Sequence, residues 1–459
     1  MVTLFNTLTR TVEQFNPIEQ GKVKIYCCGP TVYNYQHIGN LKTYIFEDIL
    51  VRTLRYFNYK VTHVMNITDV GHLVSDADEG EDKMSLAMKR EKKKSYEIAE
   101  YYTHAFFKDC EALNILKPDI VCKATDHITE MIELIKRLES KGLTYLSGGN
   151  VYFDVSKFPE YGKLALLDLE KLRAGARIEI DSNKRFPADF VLWFTKSKFE
   201  NQELQWDSPW GVGYPGWHIE CSAMAIKYLG EQFDIHCGGI DHIPVHHTNE
   251  IAQSEGAIGK KWVNFWMHSE FILLNKEKMS KSKGGFIVLS DLEGFDPLDY
   301  RFLVLGSHYR SQLNFSLEAM EGAKASRNSL RSKARSLGRS TLEVSPEHKI
   351  LKEFNAAIGA DLNTPLALAK LRQILEDERY QPELRLGALK AADLVLGLSV
   401  DSWFNEEIIP ESVQALLTQR QSARDNKNWA ESDRLRDEIQ KLGFIVEDSK
   451  GGQKVHKSI

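Results

Sequence analysis

The 459-residue chain lacks most of what marks extracellular and membrane-spanning proteins. No apolar run reaches the roughly 20 residues that cross a bilayer, and the opening MVTLFNTLTR has none of the apolar stretch of a secretory leader. Cysteine is scarce. The six present are irregularly spaced, which excludes a disulfide framework and fits reduced thiols of the cytoplasm, some of them available as metal ligands. A strong charge excess is also missing. The formal net charge is −5, so nothing draws the whole molecule to nucleic acid, and any RNA contact has to use local basic patches. Two basic runs exist, KREKKK at 89–94 and RSKARSLGR at 331–339; on charge alone each reads as a solvated helix face. There is no internal repeat and no low-complexity tract. What is present is an ordinary globular balance, 42% hydrophobic and 27% charged, at a length that suggests about three domains.

The first of these reads as an α/β unit. KVKIYCC at 22–28 predicts a strand that Gly29 and Pro30 end. Leu41, Ile45 and Ile49 recur at four-residue spacing, with Phe46, Leu50 and Leu54 on an adjoining stripe. They predict a helix over 38–57 buried against a sheet. KVTHVM at 60–65 supplies the next strand. The stretch from about 120 to 205 reads as an insertion, with a helix over 128–138, a stop at Gly142, and a hairpin over 143–155 turning at SGGN. The α/β pattern returns near Gly216, with helices over 218–228 and 248–255 and strands over 233–236 and 271–274. Beyond 316 the chain is helical. A link near 400–410 leads to a small terminal unit with a helix over 425–442, a stop at Gly443 and a strand over 444–447. The domains expected are therefore 1–315, 316–400 and 401–459.

Two strings imitate ligand sites. GVGYPG at 211–216 satisfies G-x-G-x-x-G, yet WDSPW rather than a strand leads into it and a proline sits inside it, so a tight loop is the better reading. DADEGED at 76–82 resembles a calcium loop, but its glycine is one place early and Ala87 stands where the twelfth-position glutamate belongs.

Two further strings carry chemistry. His37-Ile38-Gly39-Asn40 sits at a strand-to-helix junction, where helix N–H groups and the positive dipole end suit phosphate. Gly39 admits a close ligand, and His37 and Asn40 can donate hydrogen bonds. Lys278-Met279-Ser280-Lys281-Ser282 follows the 271–274 strand and precedes Gly284 and Gly285; its two lysines can neutralise charge on a departing pyrophosphate. Alone, the first could be a helix cap and the second a basic surface loop.

Together, HIGN early and KMSKS late in one α/β domain resemble the two signatures of class I aminoacyl-tRNA synthetases. YCCGPTVYN at 26–34, NITD at 66–69, GWHIECSAM at 216–224, FDIHCGG at 233–239, HHTNEIAQS at 246–254 and DLNTPL at 361–366 narrow the resemblance to the cysteinyl family, in order and spacing, over essentially the whole chain. That resemblance implies a Rossmann-type catalytic domain with an inserted α+β segment, a helical tRNA-binding bundle and a C-terminal anticodon-binding unit. It implies one zinc ion held by Cys28, Cys221, His246 and Glu250, with His236, Cys237, His242 and His247 as neighbouring alternatives on residue type alone. Pro30, His37, Gly39, Asn40 and Lys281 would contact ATP. His37, Asn40, Lys278 and Lys281 would serve catalysis, and Trp217 and Asp241 the cysteine pocket, although Trp217 equally suits core packing.

The activity implied is ATP-driven formation of cysteinyl-adenylate and transfer of cysteine to the 3′ end of tRNA(Cys), with Mg²⁺ accompanying ATP and zinc selecting the thiolate. A cytoplasmic monomer without membrane contact is expected. This sequence departs from the family pattern in three places. Asn40 stands where histidine is common, Cys237 where glycine is common, and the end GGQKVHKSI lacks a tryptophan often found there. Two rival readings use the same motifs: a zinc-dependent cysteine ligase acting on an amino sugar, and an idle RNA-binding paralogue.

Overall fold

The computed structural model describes residues 2–70, 83–167, 182–196, 203–274, 277–278, 286–405, 410–449 and 452–457. At its centre lies a five-stranded, wholly parallel sheet. Its strands lie side by side in the order Val263–Ser269, Phe233–Gly239, Lys22–Cys27, Lys60–Ile67, Ile120–Lys123. The chain enters in the middle, builds outward to one edge, then returns and builds to the other. This reversal leaves a crevice at the carboxyl ends of Lys22–Cys27 and Phe233–Gly239, the place where doubly wound sheets bind ligands. Helices cover both faces, so most strand positions are buried; in Lys22–Cys27, Val23, Ile25 and Tyr26 are fully buried while Lys24 is exposed.

The helix Ile38–Tyr56 forms as its spacing predicts, and Leu41, Ile45, Phe46, Ile49, Leu50 and Leu54 are all buried. It is covered more widely than its apolar stripes foretell, because the C-terminal bundle packs on the side away from the sheet. Asp48 on that face accepts from Arg52 Nε (2.8 Å), from the wholly buried Arg301 Nη2 (2.5 Å) and from Leu116 N (2.9 Å). Arg301 also donates to the carbonyls of Leu396 and Leu113, which joins this helix to Pro297–Leu305 and to the end of Pro382–Leu396.

The insertion starts later than expected. Ile120–Lys123 pairs in parallel with Lys60–Ile67 and so belongs to the central sheet; four residues, IVCK, are too few to show a period. A separate antiparallel sheet of Thr144–Ser147, Asn150–Phe153, Phe190–Phe194 and Tyr214–Pro215 forms the inserted layer, with the predicted hairpin at its edge. The GVGYPG run is part of that sheet. Gly213 bridges to Trp206, and the next helix begins at Trp217, so no phosphate loop exists there. The calcium-like run 76–82 lies outside the described residues. Val263–Ser269 is a full strand of the central sheet that the sequence reading did not identify. The strand expected over 271–274 is instead Ile272–Leu274, in a small sheet with Leu313–Phe315 and Glu277–Lys278.

The DLNTPL string is a junction. Asp361 and Leu362 are left-handed (φ 54° each), and Asn363 caps Thr364–Glu376. The Asp361 carboxylate accepts from Phe5 N (2.8 Å), Tyr309 OH (2.6 Å) and Arg310 Nε (2.8 Å), tying the N-terminal strand and the 308–310 turn to the bundle. The boundary expected at 401 also moves. Val400 and Trp403 are buried in the core shared with the bundle, so the terminal unit begins after 405. That unit holds two helices, Glu411–Asp425 and Trp429–Lys441, rather than one beginning at 425. Lys427 turns left-handed (φ 57°) between them, and Asn428 caps the second. The hairpin Phe444–Ser449 and Gly452–Lys457 completes a core of Val413, Ile439, Phe444 and Val446. Among the described residues no helix is long and apolar enough to cross a membrane.

Candidate active site and metal centre

The chain leaves the central strand at Cys27 and turns through Cys28, Gly29 and Pro30. A Cβ on Gly29 would sit 1.6 Å from the carbonyl oxygen of Asn66, so only glycine allows this turn to lie against the neighbouring strand. Asn66 of the NITD string holds the turn in place. Its Oδ1 accepts from Gly29 N (2.8 Å) while its Nδ2 donates to Thr68 Oγ1 (2.9 Å). Asp69 accepts from Thr125 N and Oγ1, which fixes the end of the next strand.

His37 then caps the buried helix. Its Nδ1 accepts from Asn40 N at 3.0 Å, so the neutral ring carries its proton on Nε2. The ring folds over Gly39, where a Cβ would come within 2.9 Å of it; the glycine is required by the cap itself. Ile38 N donates to Ile287 O (2.9 Å), His37 bridges to Val288, and the His37 ring meets Phe286 edge-on. Residues 286–288 are thus stitched to the HIGN turn. Lys278 is placed by its backbone opposite Leu273, and Lys281 lies outside the described residues.

A cavity of about 250 Å³ opens at the crevice. Of the residues singled out from sequence, Cys28, Pro30, His37, Gly39, Asn40, Trp217, Cys221, Asp241 and His246 line it. Trp217 is half-buried, its ring centroid 4.4 Å from that of His246, so it forms cavity wall rather than core. Asp241 stands exposed at the rim.

Behind the wall, ligand atoms of Cys28, Cys221, His246 and Glu250 all lie within 4.8 Å of one another, every one of these residues buried. His246 and Glu250 share a face of His246–Ile258 one turn apart. Glu250 is wholly buried. Its oxygens lie 2.8 Å from His236 Nε2 and 3.0 Å from His246 Nε2, but neither has an aligned hydrogen-bond donor. Burial alone would raise its pKa; the two histidines outweigh that and hold it well below the carboxylate range. Burial would likewise lower His246, yet Glu250 and Cys221 lift it to about 10. Burial pushes the Cys28 thiol well up, whereas the hydrogen bond from Cys28 holds Cys221 below the ordinary thiol value. Two sulfurs, one imidazole and one under-satisfied carboxylate make a pocket that could hold a metal ion.

Cys28 also forms a second group with His236 and His247. Both nitrogens of His247 are engaged, Nε2 with Cys28 Sγ (3.3 Å) and Nδ1 with His268 Nε2 (2.8 Å), and His268 Nδ1 meets Thr7 Oγ1 (2.8 Å). This line of side chains behind Cys28 was not found from sequence. No pattern links Thr7, His247 and His268 until the sheet brings them together.

A doubly wound parallel sheet with an inserted layer, a HIGN helix start at its crevice and a KMSKS string later in the sequence of the same domain define a class I aminoacyl-tRNA synthetase. Residues 14–325 match the family model "tRNA synthetases class I (C) catalytic domain", and 407–455 match "Cysteinyl-tRNA ligase anticodon binding domain". The chain is 55% identical to a cysteine–tRNA ligase of Treponema denticola, over 98% of both chains. It is 44% identical to one of Borreliella burgdorferi, over the whole of both. Its fold resembles a methionyl-tRNA synthetase of Mycobacterium tuberculosis (TM-score 0.58, 16% identity, 83% of this chain and 93% of that one). The chain belongs to the cysteine–tRNA ligase family.

Proposed function

We propose that the crevice between Lys22–Cys27 and Phe233–Gly239 is where this cysteine–tRNA ligase activates its amino acid with ATP and hands it to the 3′ end of tRNA. The observation that carries the reading is convergence: the start of the His37-capped helix and the Cys28–Cys221–His246–Glu250 cluster face one cavity. ATP phosphates fit the helix start, where the dipole, His37 Nε2–H and the Asn40 amide favour negative charge. Pro30 and Gly39 form the nucleotide's side of the cavity. Mg²⁺ accompanies ATP, and Lys278 and Lys281 serve the departing pyrophosphate. The cysteine carboxylate attacks the α-phosphorus, and the bond to the β-phosphate oxygen breaks. The terminal ribose hydroxyl then attacks the adenylate carbonyl and AMP leaves. Positioning and charge stabilisation suffice for both steps.

The four clustered side chains are a tetrahedral zinc set by donor type. A bound zinc ion supplies a soft Lewis acid that accepts a thiolate far more readily than an alcohol, and so separates cysteine from serine without an editing site. Trp217 walls the amino-acid side of the cavity, and Asp241 at its rim suits the substrate ammonium. The terminal unit reads the anticodon. Trp429 is 58% exposed, with the Arg424 guanidinium 6.0 Å above its ring, a surface for splayed bases rather than a packed core. Six buried, free thiols fit a cytoplasmic chain, which acts as a monomer.

ATP–pyrophosphate exchange with cysteine, then with serine, followed by charging of tRNA, tests the reading. Exchange with cysteine, almost none with serine, and charging without serine-dependent ATP cycling are expected. No exchange would mean an idle paralogue, and acylation of an amino sugar in place of tRNA would mean the other rival.

A further inference from the structure

The basic run KREKKK has five cationic side chains and one carboxylate in six residues of a chain whose net charge is −5. Its setting sets it apart from an ordinary solvated helix face. Of the seventeen tyrosines, only Tyr35, Tyr96 and Tyr101 are exposed (38%, 59% and 46%), and all three stand beside this run. Lys93 Nζ lies 4.9 Å from the centre of the Tyr101 ring and Lys94 Nζ 5.9 Å from that of Tyr96. The Tyr35 and Tyr101 hydroxyls meet at 2.6 Å, and Tyr35 stands edge-on to Tyr102. The single carboxylate, Glu91, is occupied by Arg90 and the Tyr102 hydroxyl (2.7 and 2.5 Å), so it does little to repel an anion. Globular surfaces rarely gather exposed rings without a partner for their faces.

The patch is continuous with the active-site mouth. Arg90 Nη2 donates to Tyr33 O at 3.1 Å, and Tyr33, Gln36 and His37 line the cavity while Tyr35 between them is exposed. One short segment, 33–37, is therefore both the lip of the cavity and the edge of the patch.

We infer that this tyrosine–lysine surface, formed by Tyr35, Arg90, Lys93, Lys94, Tyr96 and Tyr101, docks the unpaired 3′ nucleotides of tRNA on their way into the cavity. The inference rests on the reading that tRNA is the acceptor. Phosphates complement the lysines, unpaired bases stack on tyrosine faces whatever their sequence, and the transferring hydroxyl has to arrive at this lip. A double-stranded stem would bring phosphates but no open base faces, and an acidic protein would bring neither bases nor a reason to adjoin the cavity.

The test uses the full-length enzyme with Tyr101→Ala, Tyr101→Phe and the double change Lys93→Ala/Lys94→Ala. Each is measured for cysteine-dependent pyrophosphate exchange, for binding of intact tRNA, and for binding of tRNA trimmed of its unpaired 3′ nucleotides. Exchange needs no RNA and should be unchanged, which also shows that the variants are folded. Tyr101→Ala should weaken intact tRNA about tenfold, with trimmed tRNA nearly unaffected, and Tyr101→Phe should keep wild-type binding because the ring remains. The lysine pair should flatten the dependence of log binding constant on log salt by roughly one to two. If Tyr101→Ala costs exchange activity, the exposed lysine pair decides alone through intact against trimmed tRNA. Wild-type binding of intact tRNA by the variants, or equal weakening of intact and trimmed tRNA, overturns the inference. A wild-type enzyme that exchanges pyrophosphate but charges no tRNA would overturn the functional reading instead.

Discussion

Replacing His246 or its neighbour His247 by asparagine separates two candidate metal centres that share only Cys28. In the set of Cys28, Cys221, His246 and Glu250, His246 is a direct ligand; in the set of Cys28, His236 and His247, the roles reverse. The geometry favours the first, because His247 spends Nε2 on Cys28 and Nδ1 on His268, the posture of a residue that orients a ligand. Zinc in a four-ligand protein site is bound by roughly 10–16 kcal/mol. One ligand's share is then about 2.5–4 kcal/mol, or about 10²–10³ in affinity. Loss of an orienting partner costs about tenfold, up to a hundredfold. Competition with a graded series of chelators, read as zinc retained per chain, should therefore place His246→Asn well below His247→Asn, with Cys221→Ala falling alongside His246→Asn. Far-ultraviolet circular dichroism checks that each variant is folded. If His247→Asn loses metal at a weaker chelator than His246→Asn, the ligand assignment is wrong.

Lys281→Ala should slow adenylate formation while leaving the KM for cysteine within about twofold, because its charge matters most as pyrophosphate departs; unchanged exchange kinetics would remove Lys281 from the mechanism. Asn40→His should retain exchange activity, since the Asn40 contact that caps the helix is its backbone N–H, and a collapse of kcat would show the amide to be specifically required. His63 is buried with no hydrogen-bond partner on Nε2, and burial holds it down to about 4. The unfolded chain therefore binds the extra proton between about pH 6.5 and 4. Stability present above 6.5 is lost as pH falls through that window, by about 3 kcal/mol from this group. Urea titrations at pH 7 and pH 4.5 should show the wild type losing more than His63→Leu by about 2 kcal/mol, the part of that loss reached between those two pH values, and parallel losses would refute the assignment. Deleting residues from 406 onward should spare exchange and sharply reduce tRNA charging through weaker binding, whereas a cut at 402 would also remove the buried Trp403 and destabilise the bundle.

The elements legible in the sequence were those whose pattern is local. The helix Ile38–Tyr56 announced itself through Leu41, Ile45 and Ile49, and the hairpin at 147–150 through its paired glycines. Ile120–Lys123 and Val263–Ser269 escaped because strands buried on both faces carry no alternation, and four residues carry no period at all. Of the metal cluster, only His246 and Glu250 share a helix face. Cys28 and Cys221 come from other elements and were placed by family resemblance, not by spacing. The His247–His268–Thr7 line was invisible for the same reason, since its members are neighbours only across the finished sheet. Trp403 was assigned to a linker because its surroundings are polar in sequence, although the bundle folds over it.

The cap at His37 bears on which substitutions the position can accept. Its Nδ1 is consumed by Asn40 N, and the remaining donor projects from the far side of a rigid five-membered ring. Asparagine offers a side-chain acceptor at the near position but ends too soon to donate from the far one. Glutamine reaches the far position but, in doing so, carries its acceptor away from the helix N–H. Lysine and arginine bring charge and no acceptor. The twenty-letter alphabet holds one planar side chain with an acceptor close to the backbone and a donor beyond it, so under the function proposed above folding and phosphate contact would draw on the same ring. A variant library at residue 37 selected for folding alone and one selected for exchange activity should therefore part company: the first keeps small polar caps such as asparagine and serine, the second returns histidine.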